Sequence, residues 1–269
     1  MNKLPFLLLL SLLFYGCKKN DSPGNPILIS KIFEDGLLTY QYTYSLDRKP
    51  IRRDYFNTSS GQSVPGGFRI YEYAADGLLS SVTDFNKNNG FGNKYSLQYD
   101  LNKRITRMND LAADNSVQFY YLFDYSVDGK LSQFTLYNNS TSKKTLEGKF
   151  SYTNNQVSKI IRTSYSNIMP TMYDSTTFTF TGKSFPSHWS YFETLLFVAL
   201  PNGDNLLFDM ILKSYFRYYV DAPPIKTTYT YTEQVYNNAG LPVKQRISFE
   251  SQYISTTTGT REVSYEYIQ

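Results

Sequence analysis

The chain has 269 residues, of which 41% are hydrophobic, so it is long enough to bury a sizeable core as one large domain or two small ones. Its formal net charge of +4, with scattered basic residues, argues against a nucleic-acid-binding surface. One cysteine and one histidine exclude an internal disulfide and a Cys/His zinc cluster. The 26 Tyr and 19 Phe favour half-buried pleated surfaces and therefore a β-rich fold.

The N-terminus predicts a lipid anchor. Leu4 to Phe14 is an apolar run of about eleven residues, too short for a spanning helix, which needs roughly 20, and it fits the core of a secretory signal peptide. The run ends at Gly16-Cys17. This start resembles a bacterial lipoprotein signal, in which cleavage precedes the cysteine and its sulfur receives a diacylglycerol. The alternative is an ordinary signal peptide in which Cys17 is incidental.

These features divide the chain into three parts. Residues 1–16 are the predicted lipoprotein signal peptide, and residues 17–26 are the lipidated cysteine followed by a polar tether rich in turn formers. Residues 27–269 form a single predicted domain built from repeats. The expected location is the cell envelope, on the outer membrane, at its periplasmic or its surface face.

A unit that begins with an aromatic-x-aromatic pattern recurs every 26 to 29 residues through most of this domain. Its second aromatic residue falls at Tyr44, Tyr73, Tyr99, Tyr125, Tyr152 and Phe180, and again two periods later at Tyr236. The alternation of aromatic and polar residues predicts a strand. Asp-Gly pairs such as Asp128-Gly129 then predict a turn with positive φ.

The return strand of each unit carries apolar residues three positions apart, as at Leu131 and Phe134. That spacing breaks strict alternation and predicts a bulge or burial of both strand faces. A single hairpin is marginally stable, whereas a series of hairpins can bury their aromatic faces on each other. We therefore expect an all-β antiparallel meander, curled into a roll, an open barrel or a sandwich.

The repeat is interrupted between about residues 184 and 225, which contain the only His, the only Trp and the longest apolar runs of the domain. This remodelled segment is predicted as a cap, a helix or a pair of strands. Its aromatic residues offer flat apolar faces with polar edges, which suit both core packing and ligand binding. The candidate ligand-binding residues are Trp189, Tyr191 and Phe192.

The stretches "YEYAADGLLSSV" and "FDYSVDGKLSQF" resemble YD-type repeats, which run Tyr-x-Tyr-Asp-x-x-Gly-x-Leu. Together with the lipoprotein start, the chain resembles uncharacterised Bacteroidetes lipoproteins with YD-like β repeats, a family of unknown function. Arg48 and Lys103 stand where the pattern has its turn glycine. The resemblance implies an envelope protein with a β-repeat fold, and it supplies no catalytic residue.

The sequence contains no recognisable catalytic motif. His188 lies in "PSHWS", which lacks the Gly-x-Ser-x-Gly pattern of a nucleophile elbow. A glycosidase needs two carboxylates at one cleft, and candidates among the acidic residues away from predicted turns include Glu72, Glu147, Glu193 and Asp209. Asp35, Asp76 and Asp128 precede glycines, so turn formation accounts for them.

We therefore expect a non-catalytic binding or interaction scaffold, without cofactor or metal, that contacts a membrane through its anchor and binds a glycan or an envelope protein. Two alternatives remain at this stage. One is a glycoside hydrolase-like enzyme with paired carboxylates. The other is a carrier of a lipid or another envelope component inside the curled sheet.

Overall fold

The computed structural model describes residues 28–154, 156–165, 172–180, 210–219, 222–252 and 255–268. These residues form sixteen strands: β1 (Leu28–Glu34), β2 (Leu37–Tyr44), β3 (Pro50–Asn57), β4 (Val64–Tyr73), β5 (Leu79–Asn86), β6 (Phe91–Tyr99), β7 (Ile105–Leu111), β8 (Val117–Tyr125), β9 (Leu131–Asn138), β10 (Lys143–Thr153), β11 (Gln156–Ser164), β12 (Met172–Phe180), β13 (Met210–Tyr219), β14 (Ala222–Tyr236), β15 (Pro242–Gln252) and β16 (Thr256–Ile268). No helix in these ranges is long and apolar enough to cross a membrane.

The strands form one antiparallel meander, in which each strand pairs with the next along the chain. The first strand pairs on both sides: Ile32 lies opposite Tyr265 of β16 and opposite Tyr40 of β2. The ring of hydrogen-bonded neighbours is therefore complete, which leaves no unpaired edge strand in it. The all-β meander expected from the repeat is confirmed, and the pairing of its first and last strands defines how it curls.

Five hairpins share one turn geometry at the same end of the sheet. In the turn after β8, the amide of Ser126 donates to the carbonyl of Lys130 at 2.8 Å, and the amide of Gly129 donates to Ser126 at 2.9 Å. Gly129 has φ 80°, a left-handed conformation that glycine adopts without steric cost. The equivalent positions are Gly77, Gly240, Arg48 and Lys103, all with positive φ. The predicted turns are confirmed, and we call the end of the sheet that carries them the repeat end.

A register shift follows each of these turns and explains the three-residue spacing of the apolar residues. On β9, Leu131 pairs with Tyr125 and Gln133 pairs with Asp124, so Ser132 is an extra residue. Leu131 and Phe134 consequently point to the same side, where they are 5% and 0% exposed. The predicted bulge is therefore present, and it lets both apolar residues reach the core.

The core lies inside the ring and consists of two connected clusters. One is built from β4 to β10 and contains Val82 and Phe134. The other joins Ile160 of β11 to residues of β1 and β14 to β16, although β12 and β13 separate β11 from β14 in the ring. These contacts therefore cross the interior, and Phe150 packs against both clusters. We call the side that faces the core the inner face and the opposite side the outer face.

The outer face carries ion pairs between neighbouring strands. Lys31 and Glu266 lie 2.9 Å apart on β1 and β16, and Lys244 and Glu262 lie 2.6 Å apart on β15 and β16. Side chains of this face on β14 to β16 are mostly Thr, Ser, Arg, Glu and Lys. On β14 to β16 the outer face is thus polar, whereas on β4, β5, β8 and β9 it also carries aromatic residues, with Phe68 stacked on Phe85 and Tyr120 stacked on Tyr137.

Several predictions concern residues that the structure does not describe. The signal peptide at 1–16, Cys17 and the tether at 17–26 lie outside the described residues. Of the remodelled segment at about 184–225, residues 210–219 and 222–225 are described, and they belong to the antiparallel pair β13 and β14. Residues 184–209, with Trp189, Tyr191 and Phe192, lie outside the description.

Candidate functional site on the inner face

The two carboxylates suggested by the sequence that the structure describes do not form a pair. Glu72 and Glu147 both lie on the outer face, on β4 and β10, which are six strand spacings apart, or about 29 Å measured along the sheet. Glu72 accepts a hydrogen bond from the Ser81 hydroxyl, and a hydrogen bond from Lys144 lowers the pKa of Glu147. The two other candidates, Glu193 and Asp209, and His188 lie outside the described residues.

The aromatic residues that define the repeat have a structural role. The hydroxyl of Tyr99 donates to the backbone carbonyl of Leu79 at 2.8 Å, and that of Tyr125 donates to Ile105 at 2.9 Å. Each acceptor is the first residue of the return strand in the preceding hairpin. The same contact is made by Tyr73 to Pro50 and by Tyr152 to Leu131, and Tyr267 likewise reaches Pro242. These tyrosines join successive hairpins.

Further from the repeat end, the inner face becomes polar. In one row across β3, β4 and β5, Arg53 lies opposite Arg69, and Arg69 lies opposite Asp84. Arg69 binds Asp84 through two parallel hydrogen bonds, from Nε to Oδ1 at 2.7 Å and from a terminal nitrogen to Oδ2 at 2.8 Å. This bidentate geometry is strong and directional, so it fixes both side chains on the wall.

Asp110 lies on the same inner face, on β7, opposite Tyr95 of β6 and Phe119 of β8. Burial raises the pKa of its carboxyl group. Burial also raises the pKa of Tyr95, with further contributions from the charges of Asp110 and Asp84. The pKa of Tyr121 is raised by burial first and then by Tyr95 and Asp110. The phenols therefore stay protonated at neutral pH and keep their hydrogen-bond donors.

Aromatic side chains continue this wall towards β2 and β3. The guanidinium of Arg53 lies 5.2 Å from the centre of the Tyr40 ring, a cation–π contact. Tyr55 lies opposite Gly67 of β4, where a Cβ atom would overlap the Tyr55 ring, so the glycine makes room for the tyrosine. Tyr55 remains 36% exposed, in contrast to the core residues.

We call Arg53, Tyr55, Arg69, Asp84, Tyr95 and Asp110 the polar wall. Its members are half-buried or exposed, whereas the core residues beside them are less than a tenth exposed. It presents hydrogen-bond donors, acceptors and flat aromatic rings, which is the combination that polar organic ligands require. No group of three His, Cys, Asp or Glu suited to a metal ion occurs in the described part of the chain.

A concave region lies elsewhere, on β14 to β16. It is a pocket of about 330 Å³ lined by side chains of the outer face, among them Thr228, Ser248, Glu250 and Thr260. Its size is at the lower end for small-molecule sites. Its lining is rich in hydroxyl groups, but it has neither the arginines nor the tyrosines of the polar wall. The polar wall is therefore the better candidate for specific recognition.

No known protein family and no curated protein matches this chain in sequence. Among solved structures, a porin-like protein from Bacteroides uniformis superposes with a TM-score of 0.54 at 11% identity, over 90% of this chain and 96% of that one. A porin-like protein from Bacteroides vulgatus superposes with a TM-score of 0.42 at 11% identity, over 90% of this chain and 99% of that one. The first likeness shows a shared β fold.

Proposed function

We propose that this protein is a lipid-anchored component of the cell envelope whose sheet is a non-catalytic binding domain surrounded by water. The distribution of side chains between the two faces carries this proposal. The inner face buries Val82, Phe134 and Val263 completely, and the outer face bears ion pairs such as Lys31–Glu266. Charged side chains at these positions favour an aqueous environment around this part of the outer face.

The likeness to a porin-like protein from Bacteroides uniformis raises the alternative of a membrane pore. Strands of a transmembrane barrel turn apolar side chains outwards to the lipid and polar ones inwards. On β15 and β16 the polarity is reversed, since Lys244, Arg246 and Glu262 lie on the outer face. A charged side chain facing lipid costs roughly 2–4 kcal/mol at the bilayer midplane for Lys or Arg. The polarity therefore supports a domain beside a membrane over a pore within it.

The attachment to the envelope rests on the N-terminal sequence. An apolar run ending at Gly16-Cys17 fits a lipoprotein signal, and acyl chains on Cys17 would contribute roughly 0.8 kcal/mol per buried methylene. The likeness to a porin-like protein from Bacteroides uniformis is consistent with an envelope protein. The polar wall is then the part of the domain that would contact a glycan or a protein segment.

Replacement of the anchoring residue tests this function. The variant Cys17→Ala should move from the membrane fraction to the aqueous fraction of lysed cells, because the proposal assigns membrane attachment to the lipid on Cys17. Cys17→Ser does not accept the same lipid linkage and should behave in the same way. Unchanged membrane association of both variants would show that the protein is attached by other means.

A hydrolase remains as a second candidate because of one observation. Asp84 and Asp110 flank Tyr95 from the neighbouring strands β5 and β7, on the same face. Paired carboxylates at one cleft are what glycoside hydrolysis needs. If the protein cleaves a glycan, Asp84→Asn and Asp110→Asn should each abolish turnover, measured by release of reducing sugar. A protein that binds the glycan without releasing sugar would exclude this candidate.

A further inference from the structure

Asp110 differs from the other acidic side chains of the inner face in one respect. Each of three others has an arginine partner: Glu34 pairs with Arg261 at 3.1 Å, Asp84 with Arg69 at 2.7 Å, and Asp174 with Arg162 at 2.7 Å. Asp110 forms no ion pair with a Lys or Arg of the described residues. The charges of Asp110 and Asp84 both raise the pKa of Tyr95, whereas the charge of Arg69 lowers it.

The surroundings of Asp110 are aromatic. Tyr95 and Phe119 lie directly opposite Asp110 on the two adjacent strands. Tyr121 of β8 is close enough that the charge of Asp110 raises the pKa of its hydroxyl. A carboxylate among aromatic rings is a favourable environment for an organic cation, which gains both an ion pair and cation–π attraction. The chain uses this attraction itself on the same wall, where Arg53 lies over Tyr40.

Asp110 also costs the protein stability. A carboxyl whose pKa is raised by burial is harder to ionise in the folded chain than in the unfolded chain. In the ionised form it therefore destabilises the fold, and no protein cation among the described residues offsets that cost. A ligand cation would offset it, because the bound cation lowers the pKa again.

We propose that Asp110, together with Tyr95, Phe119 and Tyr121, binds a primary ammonium group, and that this group belongs to an amino sugar of an envelope glycan. This inference rests on the proposed function as a binding domain. The neighbouring part of the wall favours a sugar as the carrier of the ammonium group. The Arg69–Asp84 pair offers donors and acceptors for ring hydroxyls, and Tyr55 offers an exposed aromatic ring for stacking.

A matched pair of sugars tests the proposal on the chain from Lys18 onward, which keeps every described residue. The probes are a glucosamine tetramer and the same tetramer with every amine acetylated, titrated by calorimetry at about pH 6 so that the sugar amines are mostly protonated. The amine form should bind at least about tenfold more tightly, as expected when a charged hydrogen bond and ion pair are lost. Equal affinity for the two tetramers would overturn the proposal, as would no binding of the amine form.

Asp110→Asn should weaken binding of the glucosamine tetramer by about tenfold or more. The matched control is Asp124→Asn, which removes an exposed carboxylate from the outer face of the adjacent strand β8. That control should bind like the unchanged chain. Circular dichroism establishes that both variants are folded. Binding that is insensitive to Asp110→Asn would overturn the assignment of the site.

Two further arms separate the related outcomes. A tetralysine peptide that binds through Asp110 while the glucosamine tetramer does not would replace the amino sugar by a protein ligand, and this would overturn the glycan part of the proposal.

Binding of the glucosamine tetramer should weaken as pH falls through the raised pKa of Asp110. The titratable and charged groups that face Asp110 are Tyr95, Tyr121, Asp84 and Arg69. Unchanged binding down to pH 3 would contradict an ion pair. The fractionation of the Cys17 variants tests the proposed function independently of these binding experiments.

Discussion

Single hydroxyl groups connect the repeats of this protein. The sequence showed an aromatic residue at a fixed place in each unit, and the pattern predicted cross-strand packing. The structure adds a hydrogen bond from the tyrosine hydroxyl to the first residue of the preceding return strand, as from Tyr125 to Ile105. Burial raises the pKa of Tyr99 to about 12, which keeps the phenol protonated as a donor. Period and residue type were readable from the sequence, whereas the acceptor was not, because it is a backbone carbonyl.

Removal of one such hydroxyl measures its contribution. Tyr99→Phe should lower the free energy of unfolding by about 0.5–1.5 kcal/mol, the usual net value of a hydrogen bond. The control is Tyr120→Phe, because the Tyr120 ring stacks on Tyr137 at 5.1 Å and its hydroxyl has no hydrogen-bond partner among the described residues. Urea unfolding compares the two variants. Equal stability losses would show that the hydroxyl of Tyr99 does not join the hairpins.

The pH dependence of stability reports on Asp110. Because its folded-state pKa is raised, its ionisation destabilises the fold, and the cost appears as pH rises from the unfolded-state pKa through the folded-state pKa. Asp110→Asn should therefore be more stable than the unchanged chain at pH 7. The difference should vanish at low pH, where Asp110 is protonated. Thermal unfolding at a series of pH values checks this, and a variant that is less stable at pH 7 would contradict it.

The charged members of the polar wall were missed from the sequence alone, although a signal was present. Asp84 follows Val82 by two positions on β5, and Asp110 follows Met108 by two on β7, so each continues the core-facing alternation of its strand. Extending the apolar pattern by one more residue would have placed both on the inner face. Their convergence required the strand order and register, which a single sequence does not contain.

At the scale of the hairpin, the turn residues have the clearest energetic role. Gly77, Gly129 and Gly240 adopt a left-handed conformation, and Lys103 adopts the same conformation with φ 61°. For a residue with a side chain this conformation costs roughly 1–2 kcal/mol. Arg48 and Lys103 therefore replace the turn glycine of the repeat but adopt the same backbone conformation. Asp76 also has a local role, since its Oδ1 accepts the amide of Leu78 at 3.0 Å.

A reciprocal pair of substitutions tests this account of the turn. Gly129→Ala should destabilise the protein by about 1–2 kcal/mol, because the space around Gly129 is open and only the backbone conformation opposes the change. Lys103→Gly should stabilise the protein, because it removes this backbone cost. The gain should not exceed about 1 kcal/mol, because glycine also increases the conformational freedom of the unfolded chain. Denaturant midpoints measure both. Opposite signs for the two variants are required, and a stabilising Gly129→Ala would contradict the common turn geometry.

Hairpin number and bulges could be predicted from the sequence because they depend on local patterns. The pairing of β1 with β16 could not, because it joins residues such as Ile32 and Tyr265 that lie at opposite ends of the domain. The predicted interruption near residue 184 is consistent with the direct pairing of Phe180 with Met210, which places β12 beside β13 despite the residues between them. Whether Trp189, Tyr191 and Phe192 bind a ligand stays a prediction.

At the scale of the whole molecule, the distribution of side chains between the two faces of the closed sheet bears on the proposed attachment to a membrane. The fold resembles that of a porin-like protein from Bacteroides uniformis, yet charged side chains lie on the outer face of β15 and β16. Fold likeness at 11% identity does not carry an activity. The lipid on Cys17 would then attach the protein to the membrane, and the polar wall would be its ligand-binding surface.

Vesicle flotation tests this central claim most directly. The chain from Lys18 onward, which lacks the signal peptide and the lipidated cysteine, is purified without detergent, shown to be folded by circular dichroism, and mixed with dye-filled vesicles of envelope lipids. We predict that it stays at the bottom of a density gradient and releases no dye, because its outer face carries ion pairs such as Lys244–Glu262. Flotation of the folded chain with the vesicles, together with release of the dye, would contradict the account and support a pore.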